Sequence, residues 1–151
     1  MTDFDFFIGS WDVVNRRLGA PLSGRTDWDE FPGSSRSWTV FDGQANVDQI
    51  TFPTKGFSGL TLRLFDPVRE QWSLYWVNSR NGLLEPPVVG RFEDGVGEFY
   101  GDDQHEDTPI RVRFRWSGIT PDSARWEQAF SADGEQTWET NWIMEFARTG
   151  D

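Results

Sequence analysis

Ile110-Arg111-Val112-Arg113-Phe114-Arg115-Trp116 alternates apolar and cationic side chains without a break. Successive side chains of a strand point to opposite faces, so a period of two means one dry face and one wet face. The same period extends outward from this run. Trp72, Leu74 and Trp76 alternate with Ser73, Tyr75 and Val77, and Trp138, Thr140, Trp142, Met144 and Phe146 alternate with Glu139, Asn141, Ile143 and Glu145. Turn signals separate these runs: Gly19-Ala20-Pro21, Pro32-Gly33, Asp42-Gly43, Lys55-Gly56, Asp66-Pro67, Asn81-Gly82, Asp94-Gly95, Gly101–Pro109, Thr120-Pro121-Asp122 and Asp133-Gly134. Gly supplies positive φ, and Pro or Asp starts the turn. The segments between them lie near 11–18, 25–31, 36–42, 45–52, 58–65, 70–78, 87–93, 96–101, 109–117, 124–131 and 137–148. Some of these are short or weak, which makes about ten strands. A helical signature occurs only at the start, where Thr2 and Asp5 form a capping-box-like pair and Phe4, Phe7 and Ile8 fall at i, i+3 and i+4. No segment can serve as a crossover helix, so a parallel sheet is excluded. An antiparallel sandwich and a closed up-and-down barrel remain. Residues 1–151 read as a single domain.

Nine Trp and thirteen Phe stand against two Tyr, two Met and no Cys in 151 residues. Aromatics at 16% can fill a core although the hydrophobic fraction is only 36%, which argues against disorder. The net charge of −11 repels phosphate backbones and anionic lipid heads, so nucleic acid and membrane surfaces are excluded as expected partners. Without Cys there is no disulfide framework, thiol nucleophile or thiolate metal site, and one His cannot form a multi-histidine cage. No cofactor and no metal are expected. No apolar run approaches the ~20 residues of a membrane helix, and the first eight residues lack a basic, long-apolar signal pattern. A cytoplasmic protein is the expectation.

Gly9-Ser10-Trp11 follows the short helix and opens the first strand. This G-x-W resembles the N-terminal signature of the calycins, the group of lipocalins and fatty-acid-binding proteins. The resemblance implies an all-β, antiparallel up-and-down β-barrel with the N-terminal helix closing one end. It also implies that Trp11 packs across the closed end under a late basic residue, for which Arg148 is placed two residues beyond Phe146. An Arg plane over an indole gains roughly 0.5–2 kcal/mol. Phe7-Ile8-Gly9-Ser10-Trp11, Leu62-Arg63-Leu64-Phe65-Asp66-Pro67 and the Trp72–Trp76 strand are similar, more closely, to a bacterial family of lipocalin-like barrels that brings no established activity. Ser131-Ala132-Asp133-Gly134-Glu135-Gln136-Thr137-Trp138 resembles the Asp-box hairpin of sialidase propellers. A single copy in 151 residues cannot build a propeller, so the motif reads as a structural hairpin. Within it Asp133 accepts from its own turn's amides, Ser131 faces Thr137 and Trp138 packs on Phe130. The strand register that follows sets Trp126 opposite Trp142 and Gln128 opposite Thr140.

Taking Trp11 as inward, parity sends Val13, Asn15 and Arg17 inward on the first strand. Alternation sends Trp28 with Glu30, Trp38 with Val40, and Leu60, Leu62 and Leu64 inward. Trp72, Leu74, Trp76, Asn78, Phe114, Trp116, Trp126, Gln128, Phe130, Thr140 and Trp142 follow, so that all nine Trp can share one interior. The expected ligand-binding set is Asn15, Arg17, Trp28, Glu30, Trp76, Asn78, Trp126, Gln128 and Trp142. Such a lumen is aromatic-walled with a few polar groups, as small-molecule pockets are. Glu127 and Asn141 belong to the outer face unless parity on 124–131 is inverted. His105 lies in an acidic loop that reads as solvated, and Arg111, Arg113 and Arg115 as an outer stripe paired with carboxylates. Asn78–Pro87 reads as a portal lid or an ordinary connection. The leading expectation is binding of a small, partly apolar ligand. One alternative is a cofactor-free isomerase, cyclase or hydrolase using a buried carboxylate, with Glu30, Asp48 or Glu127 as candidates. The other is a filled lumen, leaving an interaction module such as a homodimer formed through an outer strand face.

Overall fold

Ten strands of a computed structural model, which describes residues 3–151, carry out this alternation. They are β1 (Gly9–Leu18), β2 (Trp28–Val40), β3 (Ala45–Phe52), β4 (Phe57–Asp66) and β5 (Gln71–Asn78), followed by β6 (Val88–Glu93), β7 (Val96–His105), β8 (Thr108–Ser117), β9 (Ser123–Ser131) and β10 (Glu139–Gly150). Each pairs antiparallel with its neighbours in sequence, and β1 also pairs with β10, which closes the barrel. Closure gives every strand two neighbours, so no whole strand stands as a free edge to template aggregation. The expected helix is one 3₁₀ turn, Asp5–Phe7, without a side-chain cap. The proposed cap residue Thr2 lies outside the described residues.

Phe4 and Phe7 plug one end of the barrel, here called the floor, against Trp11, Trp72, Phe99 and Trp116. The edge-to-face and offset contacts match the preferences of aromatic quadrupoles. The Trp11 indole donates to Phe7 O at 2.9 Å. Arg148 lies 4.3 Å above the Trp11 ring and donates to Phe6 O, Ile8 O and Pro121 O. One guanidinium therefore ties the 3₁₀ turn, the β8–β9 connection and the last strand together. The loops after β1, β3, β5, β7 and β9 surround the opposite end, the mouth.

Parity is as expected on β5, β8, most of β9 and on β1 as far as Asn15; beyond it Arg17 is exposed and Leu18 is the buried residue. Parity is reversed on β2 and β4. Phe31, Gly33, Ser35 and Ser37 face inward on β2, leaving Trp28 and Trp38 outside at 43% and 41% exposure, with Glu30 also exposed. On β4 the buried residues are Phe57, Gly59 and Arg63, so Leu60, Leu62 and Leu64 face outward. Segments 25–31 and 36–42 are also one strand, running straight through Pro32-Gly33. Pairing of β2 with β3 begins only at Ser34, so Pro32 has a ladder partner on one side alone, Val14 of β1. Gly33 has a reason of its own. A Cβ there would sit 3.0 Å from the Asn15 amide nitrogen and 3.3 Å from Thr51 O.

Two further expectations are corrected. Gly101–His105 continues β7 rather than looping, with His105 opposite Thr108 and its ring 5.7 Å from Phe130. On β10 an extra residue, Asn141, bulges between Thr140 and Trp142. The bulge shifts the register, so Gln128 faces Trp142, Trp126 faces Met144 and Thr140 faces Ala129. It also buries Asn141 and puts Trp138 on the outer surface, against Tyr100 and Arg113. With Trp28, Trp38 and Trp138 outside, the nine Trp do not share one interior.

Candidate functional site

Above the floor the lumen opens into a cavity walled by Phe114, Trp116, Trp126 and Trp142 on one side and by Ile50, Leu74 and Trp76 on the other. The space free of protein atoms, counting the part open to solvent, is about 610 Å³. Trp76, opposite Thr61, reaches into this space because Gly59, two residues along β4, leaves room for its indole. A Cβ on Gly59 would stand 1.8 Å from the indole. Trp126 and Trp142 meet edge to face at 5.7 Å, and Phe114 meets Trp126 at 5.0 Å.

The polar groups of the lumen come mostly from the two strands whose parity is reversed and from β3 between them. Arg63 on β4 donates to Asn46 at 3.0 Å and to Asp48 at 2.5 Å, and all three side chains are buried. Its guanidinium also lies 5.1 Å from both Phe4 and Phe7. Burial pushes the Asp48 carboxyl up from its ordinary value, against the opposing pull of Arg63. Among the described residues, Arg63 Nε, Trp116 Nε1, Ser35 Oγ, Ser37 Oγ and Asn141 Nδ2 are buried without a hydrogen-bond partner. Arg63, Trp116 and Ser35 line the cavity. An unmade buried hydrogen bond costs roughly 1–3 kcal/mol, and three of them belong to residues around this one cavity.

The sequence-derived site residues divide by position. Trp76, Trp126, Gln128 and Trp142 line the cavity. Asn15 is fully buried, but its amide is committed: it donates to Phe31 O at 3.2 Å and accepts from Trp142 Nε1 at 3.0 Å. Gln128 donates to Asn141 at 2.9 Å. Arg17 stands at the mouth, 4.3 Å over the Trp142 ring. Asn78 closes the turn after β5 by accepting from the Arg80 N–H at 2.9 Å. Trp28 and Glu30 are on the outer surface and take no part in the cavity. Glu127 is also outside, paired with Arg125 at 3.1 Å. Of the outer stripe, Arg111 and Arg115 pair with Asp102 and Glu98 as expected, whereas Arg113 forms no ion pair among the described residues and lies over the Trp138 ring. Among the described residues no three His, Asp or Glu side chains come together as metal ligands.

Arg63, Ser35 and Thr61 are absent from the sequence-derived set because Leu60, Leu62 and Leu64 set the phase of β4 and Trp38 that of β2. A signal did exist. Phe57, Gly59, Thr61, Arg63 and Phe65 form a face with an aromatic at each end, and its glycine leaves space for Trp76.

No family model and no curated protein matches the chain. Among solved structures, the S-type phycobiliprotein lyase CPES from Guillardia theta superposes with a TM-score of 0.62 at 11% sequence identity. The match covers 98% of this chain and 91% of that one. The likeness is one of fold, a closed antiparallel barrel. At so low an identity the likeness speaks for the architecture alone. No helix among the described residues is long and apolar enough to cross a membrane.

Proposed function

We propose that the barrel binds a small, mostly apolar molecule in its lumen, with a hydrogen-bond acceptor of that molecule turned toward Arg63 Nε, Trp116 Nε1 and Ser35 Oγ. The observation that carries this reading is the coincidence of those three unpartnered buried donors with an aromatic-walled cavity. A barrel filled only for stability would satisfy these groups or replace them with apolar side chains, since half-satisfied polar clusters are costlier than none. The shared architecture with a phycobiliprotein lyase is compatible with a ligand-holding lumen. Acid–base catalysis draws little support. Glu30 and Glu127 are outside, and Asp48 is held in its ion pair with Arg63.

The test is a fluorescence titration with N-phenyl-1-naphthylamine, a neutral apolar probe, read by probe emission and by quenching of Trp emission. Saturable binding at one site per chain is expected. Thr61→Phe, which fills the lumen, should abolish it while the thermal transition persists. Absence of saturable binding, or binding indifferent to Thr61→Phe, would overturn the proposal.

A further inference from the structure

The mouth of the barrel carries a charge that the rest of the molecule does not suggest. Arg17, at the top of β1, lies 4.3 Å over the Trp142 ring, and Arg80, in the connection after β5, lies 4.3 Å over Phe57. Trp142 contacts Phe52 at 5.7 Å, and Phe52 contacts Phe57 at 4.8 Å. The two guanidiniums therefore cap opposite ends of one continuous aromatic run, and Trp142 at one end of that run is a wall of the cavity.

Neither guanidinium is neutralised. The chain carries eleven more acids than bases, and most of its other arginines have found a carboxylate. Among the described residues Arg17 and Arg80 pair with none. Asp29 stands directly across from Arg17 in the β1–β2 ladder, but its carboxylate is taken by Lys55. Glu139, the acid beginning β10, accepts from the Leu22 N–H at 2.7 Å and keeps its charge, but among the described residues it forms no ion pair with either arginine. Arg80 donates to Lys55 O at 2.7 Å, a neutral acceptor that leaves its charge uncompensated. Arg17 is exposed at the mouth; partial burial against the ring beneath it and, to a smaller extent, the charge of Arg80 push its pKa down.

The floor has the opposite balance. There Arg63 is already neutralised by buried Asp48, so an anion on its free Nε–H would set two negative charges against one positive in a low-dielectric site. The donors at the floor suit a neutral acceptor such as a carbonyl, and the uncompensated cations at the mouth suit an acid.

We infer that the ligand is an amphipathic organic acid, held with its apolar body among the lumen tryptophans and its anionic group at the mouth between Arg17 and Arg80. This rests on the lumen-binding reading above and adds the ligand's charge and orientation to it. Guanidiniums stacked on aromatic faces keep their edge donors free for an oxyanion, so stacking and ion pairing do not compete.

Two probes with one aromatic body separate the proposals: neutral N-phenyl-1-naphthylamine and 1-anilinonaphthalene-8-sulfonate, which adds a single anionic group. Wild-type protein should bind the sulfonate at least as tightly as the neutral probe, and added salt should weaken only the sulfonate. Arg17→Met combined with Arg80→Met should weaken the sulfonate about tenfold while leaving the neutral probe within about twofold. Arg17→Lys combined with Arg80→Lys should restore part of the sulfonate affinity. Equal losses for both probes would reduce the arginines to packing elements and overturn the inference. So would sulfonate binding that is indifferent to the substitutions and to salt, with the neutral probe still bound; the lumen reading would then stand. Failure of both probes on the wild type would bring down both proposals.

Discussion

On β8 the inward residues are Ile110, Val112, Phe114 and Trp116 and the outward ones are arginines. On β4 the inward residues include Gly59, Thr61 and Arg63, and the outward ones are leucines. Both strands belong to one closed sheet and line one cavity. The difference shows that the lumen is not a uniform hydrophobic core. The β8–β10 wall supplies bulk in the form of Phe114, Trp116, Trp126, Trp142, Met144 and Phe146. The β2–β4 wall supplies small and polar groups that face that bulk. A barrel of fixed girth cannot take large side chains from every strand, so Trp76 reaches inward only because Gly59 has no side chain. The leucines displaced to the outside continue an apolar row across four strands, with Trp38 opposite Val47, Val47 opposite Leu62 and Leu62 opposite Tyr75. Such neighbours stabilise a sheet even on its solvent face.

The comparison can be broken most forcefully at the buried ion pair of the polar wall. Asp48→Leu alone leaves Arg63 charged and unpaired in the lumen and should cost about 3–5 kcal/mol in chemical denaturation, whereas Asp48→Leu with Arg63→Met should recover most of that loss. A double variant as unstable as the single would mean that the pair is not a self-contained unit. The next largest effect separates the two leucine positions. Leu74→Ala on the cavity wall should cost about 2–5 kcal/mol, while Leu60→Ala on the outer face should stay within about 0.5 kcal/mol. Equal costs would contradict the assigned sidedness of β4.

The smallest effect is expected at the β9–β10 hairpin. There the Thr137 hydroxyl and amide, the Ser131 hydroxyl and the Gln136 amide all donate to Asp133 and hold its carboxyl down to about 2. A folded-state pKa below the ordinary carboxylate value makes the contribution present above about pH 4 and lost as pH falls through about 2. The stability difference between wild type and Asp133→Asn should therefore shrink over that window, as followed by acid-side urea titrations. A difference that stays constant from neutral pH to pH 2 would argue against the carboxylate's role.

The hairpin, the outer arginine stripe and the inward faces of β1, β5 and β8 are all legible from residue order, because in each the apolar period coincides with the buried face. Legibility fails where buried residues are small or polar. Ser35, Ser37 and Arg63 carry no apolar signal, and an alternation of Leu with Thr and Arg reads the same whichever face is inside. The bulge at Asn141 is likewise invisible, since one inserted residue changes parity without changing composition. Arg17 is recognisable at the top of a strand, but its pairing with Arg80 depends on how the β5–β6 connection folds back over Phe57.

By itself the sequence determined the class of the molecule: all-β and antiparallel, because a period of two broken by short turns, with no crossover helix, leaves only a sandwich or a closed barrel. Through the Gly9-Ser10-Trp11 signature and Arg148 it also determined how the floor would be closed. Only the tertiary structure decided which wall is polar and where the cavity's donors and cations lie. Closure forces all ten strands to share one interior of limited volume, and that shared limit, more than any strand's own hydrophobicity, sets which of its faces turns inward.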